Sequence, residues 1–253
     1  MQFLIIYTVS TILFSLLCYF IIGKTVKKQE TKDLILKIVA VLTVFIHYSS
    51  LWIDFFQNGS VEVDDSMLLP IYPCNIIMWM LLIVAFYKNK KSKFYIVLSE
   101  FVFLVGTLCG VVGEVVNENY LNAGSIDSYH VLKGLLSHST MVFGTMYLYA
   151  FEYVKISTVR NSISCVCGGL YFLLNGFIIN SLFTKFSIPS VNSMYLQEPP
   201  FPDVPQINVL VLGLAALILI VLLTSIYELI FYKKEDRSIY KLVKGKIIYE
   251  WFF

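Results

Sequence analysis

The sequence predicts an all-α protein: a polytopic transmembrane helical bundle of seven spans, with its N-terminus outside and its C-terminus in the cytoplasm. Three observations predict this. Hydrophobic residues make up 58% of the 253-residue chain and charged ones 14%, against about 45–50% and about 25% in ordinary soluble domains. The apolar residues gather into runs of about 20, the length a helix needs to cross ~30 Å of hydrocarbon. The basic residues fall on alternate loops between those runs, the asymmetry that orients membrane proteins.

The first span, 3–22, has no basic residue before its apolar core and runs directly into Lys24, Lys27 and Lys28. A cleaved signal peptide carries its positive charge in front, so this stretch reads as a retained span. Span 34–54 carries His47. Span 68–87 opens on Leu69-Pro70-Ile71-Tyr72-Pro73-Cys74-Asn75, too polar for a plain anchor. Each proline removes a helix hydrogen bond and crowds the preceding turn, so the pair should either kink the span or open it and expose backbone carbonyls. Span 94–116 places Glu100, Thr107, Gly110 and Glu114 on one face, and Gly106-xxx-Gly110 there points to close helix packing. Span 130–151 carries Leu136-Ser137-His138-Ser139-Thr140, with Gly134, His138 and Thr145 on one small or polar face. Span 162–184 holds Asn175, Asn180 and Cys165-Val166-Cys167, whose thiols point about 200° apart on a helix and are poorly placed to share a metal. Span 207–232 completes a seven-helix domain over residues 1–232. Residues 233–253 form a basic tail with apolar residues (Ile239, Leu242, Val243, Ile247, Ile248, Trp251 and Phe252) at helical spacing. That pattern fits a helix lying on the anionic inner leaflet.

Sixteen of the 19 lysines and arginines lie in the 23–33, 88–93 and 152–161 loops and the tail. The 55–67, 117–129 and 185–206 loops hold Lys185 alone among basic residues but carry Glu62, Asp64, Asp65, Glu118, Asp127, Glu198 and Asp203. Positive loops stay in the cytoplasm, which sets the orientation and a multi-pass plasma-membrane location. The 185–206 loop, with Pro189, Pro199, Pro200, Pro202 and Pro205, is long enough to fold over the outer end. All five cysteines fall within spans, so no extracellular disulfide framework is expected. No basic domain stands behind the loops, which argues against nucleic-acid partners.

With the orientation set, each intramembrane polar residue acquires a depth, at about 1.5 Å per residue. Cys74 and Asn75 fall roughly 9–10 Å below the outer boundary, His47 about 10 Å and His138 about 12 Å. Glu114, Asn175 and Asn180 belong to the same outer half. Five helices therefore bring a thiol, two imidazoles, amides and a carboxylate to one layer, and intramembrane ionisable groups mark sites by default. Cys74 and His138 are the candidate catalytic pair, since a thiol becomes a strong nucleophile when an imidazole takes its proton. His47, Tyr72, Asn75, Glu114, Asn175 and Asn180 are candidate substrate-binding groups, and Tyr72, Asn75 or Asn175 could donate to a developing oxyanion.

Three short motifs carry a family resemblance. Leu69-Pro70-Ile71-Tyr72-Pro73-Cys74-Asn75 resembles the Leu-Pro-x-x-x-Cys stretch of the YwaF-like bacterial integral membrane proteins. Leu136-Ser137-His138-Ser139 resembles their Ser-His motif, and Asn192-Ser193-Met194-Tyr195-Leu196 followed by Pro199 resembles their Asn-Tyr-Met-x-Leu…Pro element. The family is related to a eukaryotic multispan cysteine acyltransferase of phospholipids. By this resemblance Cys74 would be the nucleophile, His138 its base and Asn192 a further substrate-binding residue. Many members carry His two residues before the cysteine, where this chain has Tyr72; His47 could take that place in space.

The expected function is cysteine-dependent acyl transfer in an outer-leaflet pocket, with membrane lipids as partners and substrates and no cofactor. The same polar layer could instead line a transporter or channel, with a Glu100/Glu114 path, or hold together a non-catalytic sensor. The ligand types of His47, Cys74, His138 and Glu114 would suit zinc, but no local ligand spacing supports a metal site. A retinal receptor is disfavoured because span 207–232 has no lysine for a Schiff base, and a rhomboid-like protease because no Gly-x-Ser-x motif accompanies the histidines.

Overall fold

A computed structural model describes residues 1–59, 70–126, 128–186, 192–200 and 204–245. Leu69, the loop acids Glu62, Asp64, Asp65, Asp127 and Asp203, the loop prolines Pro189 and Pro202, and the tail residues Ile247, Ile248, Trp251 and Phe252 lie outside the described residues. Every described regular element is helical: α1 (Gln2–Thr25), α2 (Gln29–Asn58), α3 (Pro73–Phe86), α4 (Lys93–Val115), the short α5 (Glu118–Ala123), α6 (Tyr129–Ala150), α7 (Thr158–Lys185), α8 (Val209–Phe231) and α9 (Ser238–Val243). Short 3₁₀ turns occupy Ser193–Tyr195 and Lys234–Asp236.

Each of the seven apolar runs contains one of the longer helices. Four stretches are long and apolar enough to cross a membrane: Gln2–Thr25, Lys93–Ala123, Thr158–Lys185 and Val209–Phe231. Helix α3 is apolar but has only 14 residues. Its shortness has a local cause. Tyr72 is the N-cap and Pro73 the first helical residue, where a missing N–H costs nothing. Pro73 therefore neither kinks nor opens the span; it starts the helix. Cys74 and Asn75 lie in the first turn, with the amides of Asn75 and Ile76 both directed to the Tyr72 carbonyl.

By its contacts the chain divides into two units: residues Met1–Lys90 with Val105–Tyr153, and Lys91–Leu104 with Val154–Phe253. In the first, α6 packs most extensively on α2 and also on α1 and α3. One cluster of its core is formed by Leu4, Val131 and Leu135, with Tyr7 and Tyr120 packed against them. A ring cluster of Tyr19, Tyr147 and Phe151 lies at the Ala150 end of α6. Beside it, Asp33 accepts from Lys90 Nζ at 2.6 Å, Tyr153 Oη at 2.5 Å and Gln29 Nε2 at 3.1 Å.

The second unit is organised by two buried carboxylates. Glu100 pairs with Arg160 Nε at 2.5 Å and accepts from Ser164 Oγ at 3.0 Å. Glu228 accepts from the backbone N–H groups of Thr158 and Ser238, at 3.1 and 3.0 Å, and from Ser238 Oγ at 3.0 Å. One carboxylate thus caps the starts of α7 and α9, where helix N-termini leave amides unpaired. Outward faces remain apolar: Leu13 and Phe14 on α1, Phe177 on α7 and Leu222 and Leu223 on α8 are all exposed. A surface of this kind is stable against hydrocarbon and costly in water.

Candidate active site

The site is built on the seam between α4 and α6. A Cβ on Gly106 would come 2.7 Å from Thr145 Cγ2, and one on Gly110 would come 2.6 Å from Val142 Cγ2. One on Gly113 would overlap the His138 ring. These partners step forward on α4 and backward on α6, so the helices run antiparallel with a small-residue stripe between them. Polar bonds flank the stripe: Thr107 to Thr145 at 3.0 Å, and Ser139 Oγ to Glu114 Oε1 at 2.7 Å.

Gly113 makes the slot into which His138 fits. The His138 Nδ1 lies 2.8 Å from the carbonyl of Gly134, one turn back on α6. A carbonyl can only accept, so this contact assigns the proton to Nδ1 and leaves the Nε2 lone pair to take a proton from elsewhere. His47 on α2 and Lys133 on α6 lie close enough to His138 to act on it electrostatically. His47 stacks edge-on against Tyr48 at 5.1 Å, and Tyr48 Oη accepts from Trp79 Nε1 of α3 at 3.1 Å. Its Nε2 is buried without a hydrogen-bond partner.

Cys74 enters from α3. Its Sγ donates to Asn75 Oδ1 at 3.3 Å, and Asn75 is buried. A Cβ on Gly106 would also meet Ile77 Cγ2 of α3 at 2.8 Å. Cys74 influences Cys109 of α4 electrostatically. Among the described contacts, Cys74 thus meets Asn75 and Cys109, whereas His138 meets Gly134 and Gly113. Cys74 is the second residue of α3, in its first turn, where the amides of Asn75 and Ile76 are already taken by the Tyr72 carbonyl.

Tyr72, half-buried, serves as the N-cap of α3. Glu114 is fully buried and bonded to Ser139. The three asparagines belong to the second unit. Asn180 holds the Ser193 backbone at both ends, from Nδ2 to Ser193 O at 3.1 Å and from Ser193 N to Oδ1 at 2.9 Å. Asn192 folds its own loop, bonding Glu198 O at 2.8 Å and accepting from Gln197 N at 3.0 Å. Between these contacts Met194 and Tyr195 adopt left-handed φ of 55° and 54°, and Met194 presses on Gly176. The Asn192–Leu196 element is therefore a strained turn clamped to α7. Asn175 lies one turn before Asn180 on α7 and is half-buried. Glu100, expected as a possible relay, is bound by Arg160 and Ser164, which is the bonding of a structural ion pair. Among the described residues no group of three or more His, Cys, Asp or Glu side chains forms a metal cluster.

Three participants escape a reading of the sequence: Gly113, Ser139 and Lys133. Ser139 lay inside the quoted motif, but its link to Glu114 depends on two helices 25 residues apart. Gly113 extends the Gly106-xxx-Gly110 stripe by one turn, the only local signal it offers.

Several apolar spans carrying buried polar side chains define a multi-pass membrane protein in contact with lipid. Within that class, the chain belongs to the TMEM164 family, whose profile matches residues 1–231. No curated protein and no solved structure matches the chain.

Proposed function

We propose that the chain is a seven-span plasma-membrane enzyme, N-terminus outside, that transfers fatty acyl groups between lipids through Cys74. The observation that carries this reading is the seating of His138: its Nδ1 is held by Gly134 O at 2.8 Å and its ring occupies a slot that only glycine leaves open at 113. An imidazole fixed in one tautomer is suited to general-base work, and the proposal brings the Cys74 thiol of α3 to it. The resemblance to the YwaF-like proteins supplies the substrate class.

In the proposed cycle, His138 Nε2 takes the Cys74 proton and the sulfur attacks the carbonyl carbon of an acyl ester. The C–O bond breaks, the departing lipid hydroxyl takes the proton from His138, and a thioester remains on Cys74. A second lipid hydroxyl, deprotonated by His138, attacks the thioester, forming a new ester and returning the thiol. The side-chain amide of Asn75 and the hydroxyl of Tyr72 are the donors proposed for the oxyanion, and Lys133 is the cation proposed to meet an anionic head group, with His47 as a neutral neighbour.

The test uses membranes carrying the full chain and a phospholipid with an alkyne-tagged acyl chain, reading hydroxylamine-sensitive label on the protein. Wild type and Cys18→Ala should label equally, Cys74→Ala not at all, and His138→Ala at least tenfold less. Label that survives Cys74→Ala would overturn the assignment.

A further inference from the structure

Glu114 is the buried group that the acyl-transfer cycle does not use. It is completely buried on α4, and its surroundings are hydroxyls from two other helices, α1 and α6. Ser139 Oγ of α6 donates to its Oε1 at 2.7 Å, and Tyr7 Oη of α1 bonds the same Ser139 oxygen at 2.8 Å. Thr11 Oγ1 reaches Ser139 at 3.3 Å. Thr8 and Thr11 lie beside the carboxylate.

Two oxygens in this cluster are buried without a hydrogen-bond partner: Glu114 Oε2 and Thr8 Oγ1. Thr8 is 4% exposed, so bulk water does not reach it. The contrast with its neighbours is informative. Ser10 and Ser15 on α1, and Thr43 on α2, turn their hydroxyls back to the carbonyl four residues earlier, at 2.8, 2.8 and 2.9 Å. Thr8 forgoes that bond although Leu4 lies in the same position relative to it. Orphaned buried polar atoms cost about 1–3 kcal/mol each, and because Thr8 lies within reach of the Glu114 carboxylate, one guest could satisfy both.

We propose that Glu114, Thr8, Thr11 and Ser139 form a binding site for a single sodium ion. The ligand set is oxygen only, which suits hard cations. One carboxylate among neutral hydroxyls balances one positive charge, whereas a divalent ion would leave net charge inside the bilayer, where it is expensive. The ion joins α1 to α4 and α6, the two helices that position His138, so its binding tightens the side of the bundle that holds the imidazole. A proton on Oε2, donated to Thr8 Oγ1, is the competing occupant. Tyr7, bonded to Ser139, is the neighbouring titratable group.

The test is thermal unfolding of the full chain in lipid nanodiscs at pH 8, with sodium chloride replaced stepwise by choline chloride at constant ionic strength. A ligand that binds only the folded state raises the melting temperature in proportion to the logarithm of its concentration above Kd. Wild type should gain several degrees, saturably, in sodium. Glu114→Gln, which keeps the Ser139 bond, and Thr8→Val should give flat titrations, and Thr8→Ser should restore the response. Equal melting of wild type in sodium and choline overturns the proposal, as does a sodium response that persists in Glu114→Gln. Stabilisation by acid with no response to sodium overturns it in favour of the proton. None of these readouts depends on acyl transfer.

Discussion

At the scale of single residues, the decisive atom is one that is missing. Gly113 has no Cβ, and a Cβ there would overlap the ring of His138. Replacing it by alanine forces the imidazole out of its slot and away from the Gly134 carbonyl that fixes its tautomer. Gly113→Ala should therefore lower acyl-probe labelling at least tenfold, while Gly169→Ala, where a Cβ meets nothing within 4 Å, should leave it unchanged. Overpacking typically costs about 1–3 kcal/mol, so a melting curve run beside the labelling separates a displaced base from an unfolded chain. Labelling at the wild-type level in a folded Gly113→Ala protein would remove the slot from the mechanism. The chemistry-bearing types were legible in the sequence: a lone Cys after Pro73 and a His between two serines announce themselves. Gly113 did not, because its requirement comes from His138 on another helix. Thr8 was equally silent, since a threonine in a first span usually bonds its own helix and only the fold turns this one toward Glu114.

At the scale of elements, the prolines at the head of span 68–87 were recognisable as a break, but its form was not. Whether a proline kinks a helix or begins one depends on where the preceding residues go, and Tyr72 goes extended, with ψ of 154°. The small-residue stripe of α4 was readable as a packing face, and it is one. The clamp at the other end of the first unit was not foreseen, because its members lie in α2, the loop after α3 and the end of α6. Burial of Asp33 alone would raise its affinity for a proton. Hydrogen bonds from Lys90, Tyr153 and Gln29 outweigh that, and the carboxyl stays below its usual range. A carboxylate with a depressed folded-state value contributes stability that is present above the unfolded value, about 3.9, and is lost as pH falls through the folded value. The melting temperature of wild type should therefore exceed that of Asp33→Asn at pH 7 and converge on it below about pH 3. The pair is partly exposed, so the gap at neutral pH corresponds to about 1 kcal/mol or less. A difference that stayed constant from pH 7 to pH 3 would mean that the clamp acts through packing rather than charge.

At the scale of the whole molecule, composition identified a multi-pass membrane protein before any contact was known, and the family assignment agrees. Two of the seven expected spans carry a weak membrane signal, each for a physical reason: α3 is cut to 14 residues by Pro73, and α6 carries Lys133, Ser137, His138, Ser139 and Thr140. Those polar positions are where the candidate site lies, so the residues that make α3 and α6 interesting also blunt their membrane signal. The orientation rests on charge: Lys88, Lys90 and Lys91 flank the α3–α4 turn, whereas the α4–α6 connection around Gly124 has no basic residue. Moving lysines across a membrane against its potential costs about 2.3 kcal/mol per charge per 100 mV, so the three-lysine turn should remain inside. Alkaline phosphatase, active only outside, and green fluorescent protein, fluorescent only inside when exported unfolded, report the two sides in a bacterial host. Phosphatase fused after Gly124 should be active and after Lys90 or Tyr153 inactive, with fluorescence reversed at all three points. An active phosphatase after Lys90 would invert the bundle and put Cys74 on the cytoplasmic side. Inactivity after Gly124 together with Lys90 would reduce the number of spans, removing the shared depth on which the pairing of Cys74 with His138 depends.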